Sequence, residues 1–338
     1  MFVDQRALQT AGALALNPEA VWRKWDVIWY EQIALHGYGY MLEDLKGQAA
    51  AGFFPLYPVL VGLILKALPF LSFFWLGSAL SNIFTFTALV FIARELVPDV
   101  AAARRVVAIF VTAAGSFYLS IPYTESLFLL LVVLVMIATR RREYVLAALL
   151  AGLAFATRIH GLALIAVPAV ACRYDTSLSA RARYQRLAMM ALLFAIPMSI
   201  HMAYLAEVQG SAEAFIARQA MWDNAVPYPF KAVVGLVRYP RRSQGWLHGA
   251  YWAVYVALVF RYWRKMPLGE ALFCLGALVI STQQEVFHGI YRYVAPLVPI
   301  ALAQAQDRDS VRLGLIGMNV AVAVLMILAF VTWNRLAV

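Results

Sequence analysis

Ten apolar runs, at about 72–97, 104–120, 122–139, 143–157, 159–172, 186–207, 246–263, 268–283, 290–306 and 312–333, take up most of this chain. In hydrocarbon a backbone must satisfy its own polar groups, so successive runs of this kind fold as helices and pack into a bundle. Composition points the same way. Of the 338 residues 63% are hydrophobic and 14% charged, where soluble domains are about 45–50% apolar and about 25% charged. The expected fold class is therefore all-α: a polytopic transmembrane helical bundle of about ten spanning helices, with interfacial helices in the first outer loop. It forms a single domain over 1–338, in which 1–71 are an outer-face head, 72–333 the bundle and 208–245 an outer loop. Residues 1–20 hold Asp4, Arg6 and Glu19 and lack the sustained apolar core of a cleavable signal peptide.

The net charge of +10 does not point to nucleic acid. Of the 28 basic residues, 15 fall in short clusters between apolar runs, Arg94, Arg104 and Arg105; Arg140, Arg141 and Arg142; Arg173, Arg181, Arg183 and Arg186; Arg261, Arg264 and Lys265; Arg308 and Arg312, while the other 13 are spread mainly over the long segments 1–71 and 208–245. Tight basic loops mark the cytoplasmic side. The segment around Asp26, residues 121–125, Arg158, the 208–245 loop and residues 284–292 are then all extracytoplasmic. On that assignment 53–71, which holds Pro55, Pro58, Lys66 and Pro69, cannot simply cross, and reads as an interfacial or re-entrant helix. Cys172 and Cys274 lie in apolar runs and read as small core residues. There is no metal-ligand spacing, no cofactor motif, no glycine-rich phosphate loop and no nucleophile elbow.

The head holds the densest pattern. Asn17 suits an N-cap and Pro18 the first helical position, and Gly37 suits a stop, which predicts one helix from Pro18 to His36. Trp22, Trp25, Trp29 and Ile33 would share a face and lie at the membrane–water interface. Asp26 sits beside that stripe, as a solvated residue on the polar edge or as a working carboxylate. Glu125, in Tyr123-Thr124-Glu125-Ser126, either completes a helix N-terminus or orients a nearby cation. Arg158, in Arg158-Ile159-His160-Gly161, interrupts an apolar run from 143 to 172, where it pairs with Glu125, binds a phosphate through its planar fork, or does both. His160 is a core histidine or a catalytic one. Arg292, in His288-Gly289-Ile290-Tyr291-Arg292-Tyr293, is a second candidate phosphate ligand or an interfacial arginine. In 208–245, Trp222, Asp223, Tyr228, Arg238, Arg241 and Arg242 either cover a groove or face the membrane.

These segments together carry a resemblance. Trp25-Asp26, Tyr30, Ile33-Ala34 and Gly37-Tyr38, followed by Phe53-Phe54-Pro55-Leu56-Tyr57-Pro58, look like the first lumenal loop of the membrane glycosyltransferase family that contains the second mannosyltransferase of GPI-anchor assembly (PIG-V) and its bacterial relatives. Ile121 to Phe128 resembles that family's Tyr-Ser-Glu-Ser-Leu-Phe element. Ala156 to Leu162 is similar to its Ser-Arg-Ser-Asn-Gly-Leu element, with His160 in place of Asn. Tyr291-Arg292-Tyr293, with Pro296 and Pro299, resembles its Pro-Arg-Tyr element. The family also places a spanning helix before its Trp-Asp motif, which residues 1–20 do not supply.

The resemblance implies a GT-C-like fold in the bacterial inner membrane or the endoplasmic reticulum, and transfer of a sugar, usually mannose, on the extracytoplasmic face. The donor would be a polyprenyl- or dolichyl-phosphate sugar and the acceptor a lipid or glycan hydroxyl, with no cofactor. Asp26 would be the catalytic base and Arg158 and Arg292 the donor-phosphate ligands. Glu125, His160, Tyr30, Tyr123 and His288 would support them. A transporter or lipid flippase without glycosyl transfer is the alternative. Paired broken helices in both halves would favour it, and the sequence suggests breaks only between 122 and 172.

Overall fold

The structure, a computed structural model, describes residues 18–39, 50–219, 228–238, 245–284, 287 and 289–332. Among them it is all-helical, without a strand. The head contributes α1 (Pro18–Trp22), α2 (Asp26–His36) and α3 (Leu56–Ala67). Next come α4 (Phe73–Phe91), which continues as a π-helical turn through Leu96, α5 (Val100–Thr112), α6 (Glu125–Arg140) and α7 (Tyr144–Phe155). The short α8 (Gly161–Leu164) and α9 (Ala166–Tyr174) precede the long α10 (Ala180–Gln209). After α11 (Ala214–Gln219) and α12 (Lys231–Arg238), the chain ends in α13 (Gly245–Tyr262), α14 (Leu268–Ile280), α15 (Ile290–Val294), α16 (Val298–Ala305) and α17 (Asp309–Val331).

The bundle is built around α6. It packs against α4, α7, α9 and α16, and 12 of its 16 residues are buried, as a helix that is apolar all round requires. One contiguous core runs from Val27 to Phe330, so the head and the last helix share it. On the outside, α10 exposes Met189, Leu192, Ile196, Ile200 and Tyr204 along one face. Three helical stretches, Phe73–Leu96, α10 and α17, are long and apolar enough to cross a membrane.

Of the other expected spans, 246–263 is one helix of 18 residues, α13, and the rest fold as helices of 16 residues or fewer. The 104–120 run breaks at Ala113, the 159–172 run is split between α8 and α9, and the 290–306 run is split between α15 and α16 at Ala295 to Leu297. A proline accounts for part of this. Pro296 lies in the α15–α16 break and cannot donate to a helix ladder. The second half is thus broken as well as the first, which corrects the sequence reading. Cys172 and Cys274 are buried free thiols, as expected.

The head departs most from expectation. Its predicted single helix is interrupted at residues 23–25, where Trp25 has φ +55° and ψ −125°. Tertiary contacts overrule the local preference. Trp22 packs between Phe117 and Phe330, and the Lys24 ammonium donates to the carbonyl of Val331 at the end of α17. Trp29 and Ile33 belong to a separate buried cluster with Tyr38 and Leu205. The tryptophans therefore face protein on two sides and form no interfacial stripe. Gly37 does end α2, its N–H donating to Ile33. Helix α3 crosses α2 so closely that a Cβ on Gly62 would lie 2.6 Å from the Ala34 carbonyl oxygen. The Tyr57 hydroxyl donates to Gly77 and pairs with Ser81, each at 3.0 Å, which ties α3 to α4. In the 208–245 segment, Tyr228 and Arg238 lie within the described residues; Trp222, Asp223, Arg241 and Arg242 lie outside them.

Candidate active site

Asp26 is the first residue of α2, where the unpaired N–H groups of the first turn favour a carboxylate. The left-handed Trp25 before it is strained backbone, of a kind that costs about 1–3 kcal/mol and is held only by surrounding packing. The turn aims Asp26 at the bundle, and its Oδ2 accepts a hydrogen bond from Arg292 Nη1 at 2.8 Å.

Arg292 lies on the short α15. A turn of α5's following segment lies against this helix: a Cβ on Gly115 would sit 2.2 Å from the Tyr291 carbonyl oxygen. Glycine is therefore required at 115 for the backbones to meet. The Arg292 guanidinium stands over two rings, Tyr123 at 4.7 Å and Tyr118 at 5.2 Å, a favourable placement for a cation. Its Nε donates to Glu125 Oε1 at 2.5 Å.

Glu125 is the first residue of α6 and follows the turn at Pro122. The same Oε1 also pairs with Arg158 Nη1. Arg158 lies just past the end of α7, its N–H bonded to Ala154, where a cation complements the helix dipole. Its Nη1 also donates to Thr124 Oγ1 at 3.3 Å, and its guanidinium lies 5.2 Å from the centroid of Tyr293. The structure thus joins Asp26, Arg292, Glu125 and Arg158 in one chain of alternating charge, drawn from four distant segments.

The flanking residues sort themselves around this chain. The Tyr30 ring meets Tyr123 edge-on at 6.0 Å, and burial together with the Asp26 charge raises the pKa of its hydroxyl. Tyr123 is fully buried, and its hydroxyl reaches the Lys24 carbonyl at 3.5 Å. His160 packs tilted against Tyr293, with ring centroids 4.6 Å apart. His288 lies outside the described residues. Three contributors were not read from the sequence: Tyr118 and Tyr293 as ring partners, and Thr124 as a hydrogen-bond acceptor. Thr124 lies within the Tyr123–Ser126 element and Tyr293 stands beside Arg292 in the 288–293 element, which was the available signal for both; Tyr118 lies upstream of either.

The four charges cancel. In apolar surroundings such a network holds only as a set, since removing one partner leaves a buried charge alone at about 3–5 kcal/mol. The two arginine side chains are 7% exposed and Glu125 is 0% exposed, whereas Asp26 is 19% exposed. The Asp26 end is therefore the accessible one. A guanidinium has five N–H donors, so both arginines keep donors beyond these contacts. Among the described residues no group of three or more His, Cys, Asp or Glu side chains is placed to hold a metal ion. Compared with family models, curated proteins and solved structures, the chain matches none.

Proposed function

We propose that this protein is a polytopic membrane glycosyltransferase that moves a sugar, mannose by its resemblance to the PIG-V family, from a polyprenyl- or dolichyl-phosphate donor to a lipid or glycan hydroxyl. The observation that carries this reading is the accessible carboxylate of Asp26 at the end of a buried, charge-balanced chain that contains two arginines. Asp26 takes the proton of the acceptor hydroxyl as its oxygen attacks the anomeric carbon. The bond from that carbon to the donor phosphate breaks, and the lipid phosphate leaves with the electron pair. Arg292 and Arg158 stabilise the charge that grows on it. A single displacement inverts the sugar and needs no second nucleophile.

The short helices suit this reading. At 1.5 Å per residue α6 is about 24 Å long, less than the roughly 30 Å of hydrocarbon. Such pieces belong inside a bundle of about ten passes, screened from lipid by α4, α10 and α17. The Arg140–Arg142 cluster lies at the opposite end of α6 from Glu125, and tight basic loops favour the cytoplasm. The site then faces the periplasm or the lumen.

The deciding experiment is transfer by Asp26→Asn protein reconstituted with polyprenyl-phosphate mannose. Asp26 is the exposed end of the chain and Arg292 stays paired with Glu125, so the asparagine variant folds, and its transfer rate falls by about 10²–10⁴-fold. Near-normal turnover would overturn the assignment. The helix breaks in both halves support a second reading, a transporter or lipid flippase. That reading expects lipid movement without a new glycosidic bond, and movement unchanged in Asp26→Asn.

A further inference from the structure

Beside Arg158 and the Tyr293 ring lies a group of polar atoms that the fold leaves unused. His160 is 3% exposed, and neither of its ring nitrogens has a hydrogen-bond partner. Gln284, just past α14, has its Oε1 buried and unpartnered, while its Nε2 reaches the Tyr293 hydroxyl at 3.5 Å. Both residues touch the same ring. The His160 ring packs tilted against Tyr293 with centroids 4.6 Å apart, and Arg158 lies over the same ring at 5.2 Å. Buried polar groups are nearly always hydrogen-bonded, and exceptions that cluster call for a missing partner.

The chemistry of these atoms narrows that partner. A neutral imidazole carries one donor and one acceptor, and the amide oxygen is an acceptor. An anion would meet two acceptors. A cation would meet Arg158 and Arg292, both within electrostatic reach of the imidazole. A neutral group with several hydroxyls can donate and accept at each, and satisfies all three atoms in either imidazole tautomer.

We infer that His160 and Gln284, grouped on the Tyr293 ring, form the subsite for the neutral, hydroxylated ring of the donor, next to the guanidinium that meets its phosphate. The inference rests on the glycosyltransferase reading and adds to it the residues that recognise the sugar. Both are positioning and specificity residues and take no proton in the reaction.

Two probes test this on the purified full-length protein in lipid nanodiscs: a short-chain polyprenyl phosphate carrying mannose, and the same lipid phosphate without the sugar. Calorimetry measures the affinity of wild type, His160→Phe and Gln284→Leu for each, and a melting curve accompanies every titration. Wild type binds the mannosyl probe more tightly. Each variant loses about tenfold in affinity for that probe and nothing for the bare lipid phosphate, with Tm at or above the wild-type value. Should His160→Phe fail to fold, Gln284→Leu decides alone. Unchanged affinity of the variants for the mannosyl probe would mean that these atoms face ordered water only, and would overturn the subsite. Equal weakening toward both probes, or a wild type indifferent to the sugar, overturns it too. An active Asp26→Asn removes the base while leaving the preference for the mannosyl probe intact. Loss of that preference with Asp26-dependent transfer preserved removes the subsite alone.

Discussion

Glu125 accepts two guanidinium groups on a single oxygen and is itself fully buried, so it cannot be neutralised without consequence for both arginines. Glu125→Gln is expected to lose about 3–5 kcal/mol of stability by leaving buried cations unpaired, read as a large drop in Tm. Arg158→Lys asks a different question. Arg158 meets Glu125 and Thr124 through Nη1 alone, and a lysine can keep that single contact. The Tm is then expected to stay near wild type, while affinity for the lipid-phosphate donor falls because the planar fork is gone. A folded Arg158→Lys protein with unchanged donor affinity would leave Arg158 a purely structural partner of Glu125. The pairing of Arg158 with Glu125 was readable from sequence, since an arginine inside an apolar run needs an anion and Glu125 opened the neighbouring segment. The Asp26–Arg292 bond was not. Those residues are 266 positions apart, and no spacing rule connects them.

At the level of elements, the approach of the 113–120 turn to α15 decides where Arg292 points. Gly115→Ala would drive a methyl group into the Tyr291 carbonyl. Overpacking of this kind costs about 1–3 kcal/mol, and the displaced α15 is expected to lower transfer more than the loss of stability accounts for, as a rate assay normalised to folded protein would show. A second element-scale contact lies at the opposite end of α7. There Asp175 is held by the Ser177 hydroxyl at 2.6 Å, the Tyr144 hydroxyl at 2.7 Å and the Ser177 N–H at 2.9 Å. Those bonds depress its carboxyl to about 2, below the usual carboxylate value near 3.9. The contribution is complete above about pH 4 and disappears as pH falls through about 2. The Tm gap between wild type and Asp175→Asn is therefore expected to be constant from pH 7 to about 5 and to close at lower pH. Helix existence was legible in the sequence because apolar runs announce it. Helix interruptions were less so: the break at 23–25 follows from contacts of Trp22 and Lys24 with the far end of the chain, which no local pattern encodes.

At the scale of the whole molecule, the four-segment site and the Arg140–Arg142 cluster occupy opposite ends of α6, so one labelling experiment orients the protein. Both native cysteines are buried, and they leave a quiet background. Gln48→Cys is expected to react with a membrane-impermeant thiol reagent in intact cells and Ser179→Cys to stay unlabelled; the reverse pattern would invert the orientation. The clasp between the head and α17 carries its own consequence for biogenesis. Trp22 and Lys24 rest on Phe330 and Val331, and α17 is made after the segments that supply Glu125, Arg158 and Arg292. The strained turn that aims Asp26 therefore lacks part of its support, the Phe330 ring and the Val331 carbonyl, until α17 is in place. A nascent chain can thus join Glu125, Arg158 and Arg292 before the carboxylate of Asp26 is fully held against them.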